Sequence, residues 1–240
     1  VLPGPVKVPY PLAIGGLPKR VECPLVESRL GVAMSLVWND LKQSAEKAME
    51  ANDWSTALSD WEAALKEAES FPDGDGSQVT TLEGLARTRF SRGDHDEAEF
   101  LYKRTLVIRR DEQGKDHKDV ASVERNLGVV LFTAGRYSEA QSHFEKALNL
   151  KKAAFGDAHI EVGRTIYLLA MACHAQGHYD EADTHYRKSL DIKNKALGNN
   201  SPELINLLRN YADLLRKTSR DSIAGQMEQF AKGIEAKQKH

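Results

Sequence analysis

The chain has 240 residues, 41% of them hydrophobic and 28% charged, with a formal net charge of −2. That balance supports a continuous apolar core and gives no electrostatic case for a nucleic-acid partner, while apolar stretches such as Leu127 to Phe132 fall far short of a membrane span. The two cysteines, Cys23 and Cys173, sit in different regions and imply no disulfide framework.

Six of the eight prolines lie in the first 24 residues, together with Gly15 and Gly16, so residues 1–35 are predicted to be an irregular Pro/Gly-rich extension. This segment lacks a basic start followed by an apolar run and carries no export signal, which predicts a cytoplasmic protein. Met34-Ser35 has the form of a natural start, making residues 1–33 an appended extension. The alternative is a tethered segment that occupies the molecule's own binding groove and inhibits it.

Beyond the extension the sequence repeats itself. Ala98, Ala140, Ala182 and Ala224 recur at intervals of 42 residues, and Ala57 lies 41 upstream of the first. Five residues before each alanine stands Gly93, Gly135 or Gly177, with Asn52 and Ser219 in the outer copies. Twelve before it is a small residue (Ala45, Ala86, Gly128, Ala170, Ala212), and four after it an aromatic (Trp61, Tyr102, Phe144, Tyr186). A fixed period with linked anchors means one supersecondary unit stacked on copies of itself.

The spacing within a copy predicts two helices. In the third, Val120, Val123, Leu127 and Val130 fall three or four apart, then Ala140, Phe144, Ala147 and Leu148 do the same, with a turn at Gly135 between. The alanine and its small partner are predicted to mark close backbone approach, beside which the aromatic packs. Gly114, Gly156 and Gly198 end the second helices, and the next helices begin behind His117, His159 and Ser201 with an acid close by (Asp119, Glu161, Glu203). Trp38, Trp54 and Trp61 make the first copy unusually aromatic, and the proline-rich leader, a partner or a second copy of the chain is expected to cover that end. In the last copy Glu228 and Lys232 replace the aromatic and the leucine after it, while Phe230 and Ile234 keep an apolar edge, as a terminal cap requires.

This set of anchors resembles the tetratricopeptide repeat family, and the 42-residue period with its Gly-x-x-His linker is similar to the kinesin light chain type of repeat. The resemblance implies an all-α, right-handed superhelical solenoid of about five hairpins over residues 36–240, with units at about 36–80, 81–122, 123–164, 165–206 and 207–240. It also implies a non-enzymatic protein–protein interaction scaffold that takes a peptide or helix in the concave groove formed by the first helices. The alternative is a structural assembly subunit that self-associates or is fixed in a larger complex.

On that register the groove candidates are Arg87 and Phe90 in the second copy, with Glu83 beside them, and Arg125, Asn126, Val129 and Phe132 in the third. Arg164, Tyr167, Met171 and His174 follow in the fourth, and Asn206, Arg209, Asn210, Asp213 and Arg216 in the fifth. Guanidinium groups interleaved with rings suit an acidic segment carrying apolar anchors. Against this, Glu83 with Arg87, Glu161 with Arg164, and Arg209 with Asp213 have the spacing of intrahelical pairs, which would leave less charge for a ligand. Asn126 and Asn210 match the asparagines that related repeats use on a ligand backbone; Gly84 and Leu168 do not. The five-residue clamp by which some family members grip a terminal carboxylate finds only Asn126 and, loosely, Arg164.

Cys173, His174, His178 and His185 cluster in sequence, but the turn at Gly177 interrupts them and His143 matches His185 one copy earlier. They are read as ordinary helix residues, with no metal and no cofactor. No phosphate loop, nucleophile elbow or paired-carboxylate site stands out, so catalysis has no support.

Overall fold

The structure is a computed structural model that describes residues 24–72, 74–114 and 117–238, with side chains from Leu36 onward apart from Gln113. Among the described residues there are ten helices: α1 (Pro24–Glu50), α2 (Trp54–Ala68), α3 (Ser77–Ser91), α4 (His95–Gln113), α5 (Lys118–Thr133), α6 (Tyr137–Phe155), α7 (Ile160–Ala175), α8 (Tyr179–Leu197), α9 (Glu203–Lys217) and α10 (Asp221–Lys237). They pack as five consecutive antiparallel hairpins, each resting on the next, in an all-α repeat solenoid.

Ala57, Ala98, Ala140, Ala182 and Ala224, with their partners Ala45, Ala86, Ala170 and Ala212, are all fully buried at the hairpin crossings. At Gly128 the crossing leaves no room for a side chain, since a Cβ there would lie 2.5 Å from the Phe144 ring. The hairpin turns need a left-handed residue: Gly93, Gly135 and Gly177 have φ near +80°, and the outer copies force Asn52 (φ 57°) and Ser219 (φ 59°) into the same region. His117 and His159 cap the helices that follow, each ring Nδ1 accepting from the backbone N–H two residues on, at 3.3 and 3.2 Å.

Two expectations need correcting. The divisions at 81, 123, 165 and 207 fall inside α3, α5, α7 and α9; the units begin at the histidine, serine or glycine caps just upstream. Residues 24–35, assigned to the irregular extension, belong to α1. Proline is tolerated in a first helical turn, where its missing N–H has no partner to lose, and no further proline interrupts the segment after Pro24. The rest of the extension, residues 1–23 with Cys23, lies outside the described residues.

Two of the three tryptophans of the first copy pack against the second copy. Trp38 donates its indole N–H to Thr81 Oγ1 at 2.9 Å and meets Phe71 edge-on, and Trp61 packs on Gly84, whose missing Cβ makes room for the ring. At the other end Ala231 and Ile234 are buried while Phe230 stays exposed, so the apolar edge of α10 is narrower than predicted.

Candidate functional site

First helices of successive hairpins touch one another (α1 with α3, α5 with α7, α7 with α9), whereas no two second helices make comparable contact. The first helices therefore form the inner side of the curve. Of the depressions on this side, two hold most of the candidates. One, of about 280 Å³, is lined by Arg87 and Phe90 of α3, Tyr102 of α4, and Arg125, Asn126, Val129 and Val130 of α5. The other, of about 240 Å³, is lined by Phe132, Met171, His174, Ala175, Tyr186, Asn210, Asp213 and Lys217.

Ten of the sequence-derived candidates line these depressions; the other five, Arg164, Tyr167, Asn206, Arg209 and Arg216, line neither. Arg164 is held by two acids, donating to Glu161 at 2.6 Å and through both Nε and Nη2 to Glu203 of the next unit. Burial raises the Glu161 carboxyl, but hydrogen bonds from Lys151 and Arg164 outweigh it and hold the group at about 2. Lys193 approaches the same Glu203 and lies over the Tyr167 ring, 5.1 Å from its centroid. Arg209 and Arg216 reach sideways to α10, pairing with Glu235 at 2.8 Å and Glu228 at 2.6 Å, and Asn206 is exposed.

The intrahelical pairs were anticipated in kind but only partly in partner. Glu161 does bind Arg164, but Glu83 binds Arg109 of α4 instead of Arg87, and Asp213 faces Lys217 and His174 instead of Arg209. Glu83 and Arg209 take their partners from neighbouring helices, Arg109 and Glu235, while Asp213 keeps an i,i+4 partner in Lys217. Arg87 is consequently exposed with no ion pair among the described residues. Arg125 is half-buried; it makes one long contact, 3.4 Å to Asn126 Oδ1, and its Nε is buried without a hydrogen-bond partner.

Asparagines behave differently in the two depressions. Asn210 donates to the Tyr167 hydroxyl at 2.7 Å and so is engaged internally, while Asn126 receives only the long Arg125 contact. Sequence reasoning missed Tyr102 and Tyr186, which were assigned to hairpin packing alone. Both are buried, yet each closes the floor of one depression. Burial pushes the Tyr102 phenol up to about 12, so it stays neutral beside the two arginines. Tyr186 stacks on Tyr211 at 5.4 Å and contacts His174 edge-on, and burial first, then the Lys217 charge, lowers the pKa of His174. The signal was available, since the aromatic four residues after each alanine is large enough to pass through the hairpin to its inner side.

No helix among the described residues is long and apolar enough to cross a membrane. No curated protein sequence matches the chain. Solved structures do: BtubC (BKLC) from P. vanneervenii, with a TM-score of 0.77 at 18% identity, covering 90% of this chain and 86% of that one. A Podosopora anserina protein with nearly identical kinesin light chain TPR-like repeats gives 0.69 at 18% identity over 83% and 95%. MamA from Desulfovibrio magneticus RS-1 gives 0.62 at 15% over 85% and 98%. The tetratricopeptide repeat model matches residues 78–153, 119–195 and 161–229, overlapping windows that each span two of the hairpins described above. The chain belongs to the tetratricopeptide repeat family, with repeats similar to those of kinesin light chains.

Proposed function

We propose that this repeat scaffold binds an extended peptide or helix of a partner protein along its first-helix face and catalyses no reaction of its own. The observation that carries the reading is the pair Arg87 and Arg125, two guanidinium groups without a carboxylate partner among the described residues, set beside Phe90 and Tyr102 in one depression. A partly buried guanidinium such as that of Arg125 gains most from a planar carboxylate, and the rings supply apolar area next to it. The second depression, with Phe132, Met171 and the Tyr186 ring, suits an apolar anchor further along the same ligand. The ligand so described is acidic at one end and apolar at the other.

Fluorescence anisotropy with a panel of labelled peptides tests this. Peptides with an acidic cluster and a downstream aromatic should bind, and the same peptides with lysine in place of the acids should not. Equal binding of both sets would refute the acidic assignment, and failure of every peptide would refute the groove.

The alternative reading is assembly. Phe100 and Val107 stand 67% and 59% exposed on the outer side of α4, away from the groove. Exposed apolar groups along one helix suit contact with a second chain. Sedimentation velocity across a range of concentrations separates the two: a mass that rises with concentration and falls back on Phe100→Ser and Val107→Ser substitution supports assembly.

A further inference from the structure

The repeat supplies an internal comparison at one place on the outer side, where the last turn of a first helix meets the start of its own second helix and the second helix of the preceding unit. In the second unit this place holds Arg89. Its guanidinium lies between two helix carboxylates, 2.7 Å from Glu97 of α4 and 3.1 Å from Glu62 of α2, with Asp94 of the turn at 3.5 Å. The fourth unit keeps both acids, with Glu181 where Glu97 stands and Glu145 where Glu62 stands, but it replaces the arginine by Cys173 and the intervening Leu101 by His185. In the third and fifth units the central residue is Leu131 or Leu215, and the acid pair is gone: the flanking positions there hold Lys103 with Glu139, and Arg187 with Ile223. Paired acids thus occur at this place only where the central residue is arginine or cysteine.

In the fourth unit the two carboxylates have lost their cation. Neither Glu145 nor Glu181 pairs with a lysine or arginine among the described residues; Glu145 receives only the Gln141 amide at 3.0 Å, and Glu181 lies 3.6 Å from His185 Nε2. The Cys173 sulfur is fully buried behind them, and one ligand atom each from Cys173, Glu181 and His185 lie within 4.8 Å of one another. Bonds of about 2.0–2.3 Å in a tetrahedral zinc site place ligand atoms roughly 3.3–3.8 Å apart. The His185–Glu181 separation of 3.6 Å already falls in that range, and the ligand atoms as a set exceed it by no more than about an ångström.

We propose that Cys173, Glu181 and His185 bind a divalent cation of the zinc class, which takes the place of the Arg89 guanidinium, with Glu145 or a water completing the coordination. A thiol, an imidazole and a carboxylate together select a borderline-soft ion over magnesium or calcium, which need all-oxygen sets. On binding, Cys173 Sγ releases its proton to solvent and coordinates as thiolate, and His185 coordinates as neutral imidazole.

Cobalt(II) is the probe, added to the full-length chain carrying Cys23→Ser so that Cys173 is the single thiol. The expected result is a thiolate-to-cobalt charge-transfer band in the near ultraviolet that saturates at one equivalent and is displaced by zinc. Cys173→Leu, the residue of the third and fifth units, should fold as judged by circular dichroism and show no band; His185→Leu, the residue of the second unit, should weaken cobalt binding by at least about tenfold. Absence of the band in the Cys173 chain overturns the proposal without reference to any variant. Persistence of the band in Cys173→Leu, or its indifference to His185→Leu, overturns it as well.

Discussion

At the α3–α5 end of the inner face, Arg87 and Arg125 have no carboxylate among the described residues, whereas at the α7–α9 end Arg164, Arg209 and Arg216 each have one. The two ends carry the same residue type, and Arg125 and Arg209 occupy the same position in their repeats. What differs is the neighbour: α7 and α9 begin with Glu161 and Glu203, which turn inward onto Arg164, and α10 supplies Glu228 and Glu235 to the arginines of α9. At the other end Glu83 is drawn off by Arg109. A count of arginines therefore overstates the cationic character of this face: among the described residues, the candidate arginines without a carboxylate lie at one end only. The same side chain ties neighbouring helices together at one end and is left without an acid at the other, where the proposed ligand would meet it.

The largest test of that division is a pair of double variants. Arg87→Glu with Arg125→Glu should lower affinity for an acidic peptide by roughly a hundredfold or more, since charges are reversed at partly desolvated contacts, while leaving the melting temperature unchanged. Arg164→Glu with Arg209→Glu should do the opposite: it places like charges against Glu161, Glu203 and Glu235, so the melt should fall more than the affinity. If both pairs affect binding and stability equally, the two ends are not functionally distinct.

A packing test of about 1–3 kcal/mol asks whether close approach is confined to hairpin crossings and the first junction. Gly84→Ala and Gly128→Ala would put a methyl 2.3 Å from Trp61 and 2.5 Å from Phe144, both fixed rings, and each should destabilise by about that amount. Gly225→Ala, in α10 with nothing within 4 Å, should instead raise stability slightly through helix propensity. Equal effects at the three sites in chemical denaturation would show that the rings relax freely.

Acid should unfold the α7–α9 end preferentially. The Glu161 carboxyl is held at about 2, against an ordinary value of 4.5, because Lys151 and Arg164 outweigh its burial. A carboxyl depressed in the folded state adds stability above pH 4.5 and loses it as pH falls toward 2. Glu161→Gln should therefore melt below the parent at pH 7, and the difference should close between pH 4.5 and 2. A difference independent of pH would mean that the glutamate acts by shape and not by charge.

Much of this architecture was legible in the sequence because its causes are local and periodic. The buried alanines, the left-handed turns at Gly93, Gly135 and Gly177, and the histidine caps each repeat a short-range steric or hydrogen-bonding requirement every 42 residues. The groove was legible as a face and not as a site. Whether Arg164 is available depends on Glu203, 39 residues away, and whether Asn210 can meet a ligand depends on Tyr167, 43 residues away. Such partners are set by how neighbouring units stack, and the i,i+4 rule sees only one helix at a time. The Cys173 cluster shows the same limit. Sequence proximity grouped it with His174, His178 and His185; packing keeps His185 and adds Glu181.

The smallest expected effect compares the two terminal hairpins, which make the same left-handed turn without glycine. Asn52 and Ser219 have nearly equal φ, 57° and 59°, but asparagine tolerates that region better than serine, because its side chain can hydrogen-bond the adjacent backbone. Glycine removes the Cβ clash at either position and adds back unfolded-state entropy, so only part of the relief appears as stability. Ser219→Gly should gain about 0.5–1 kcal/mol, and Asn52→Gly less. Hydrogen exchange resolved along the chain is the appropriate measurement, since a solenoid opens from its ends and the gain should be confined to α9 and α10. A larger gain at Asn52 than at Ser219 would mean that backbone strain is not what distinguishes the two turns.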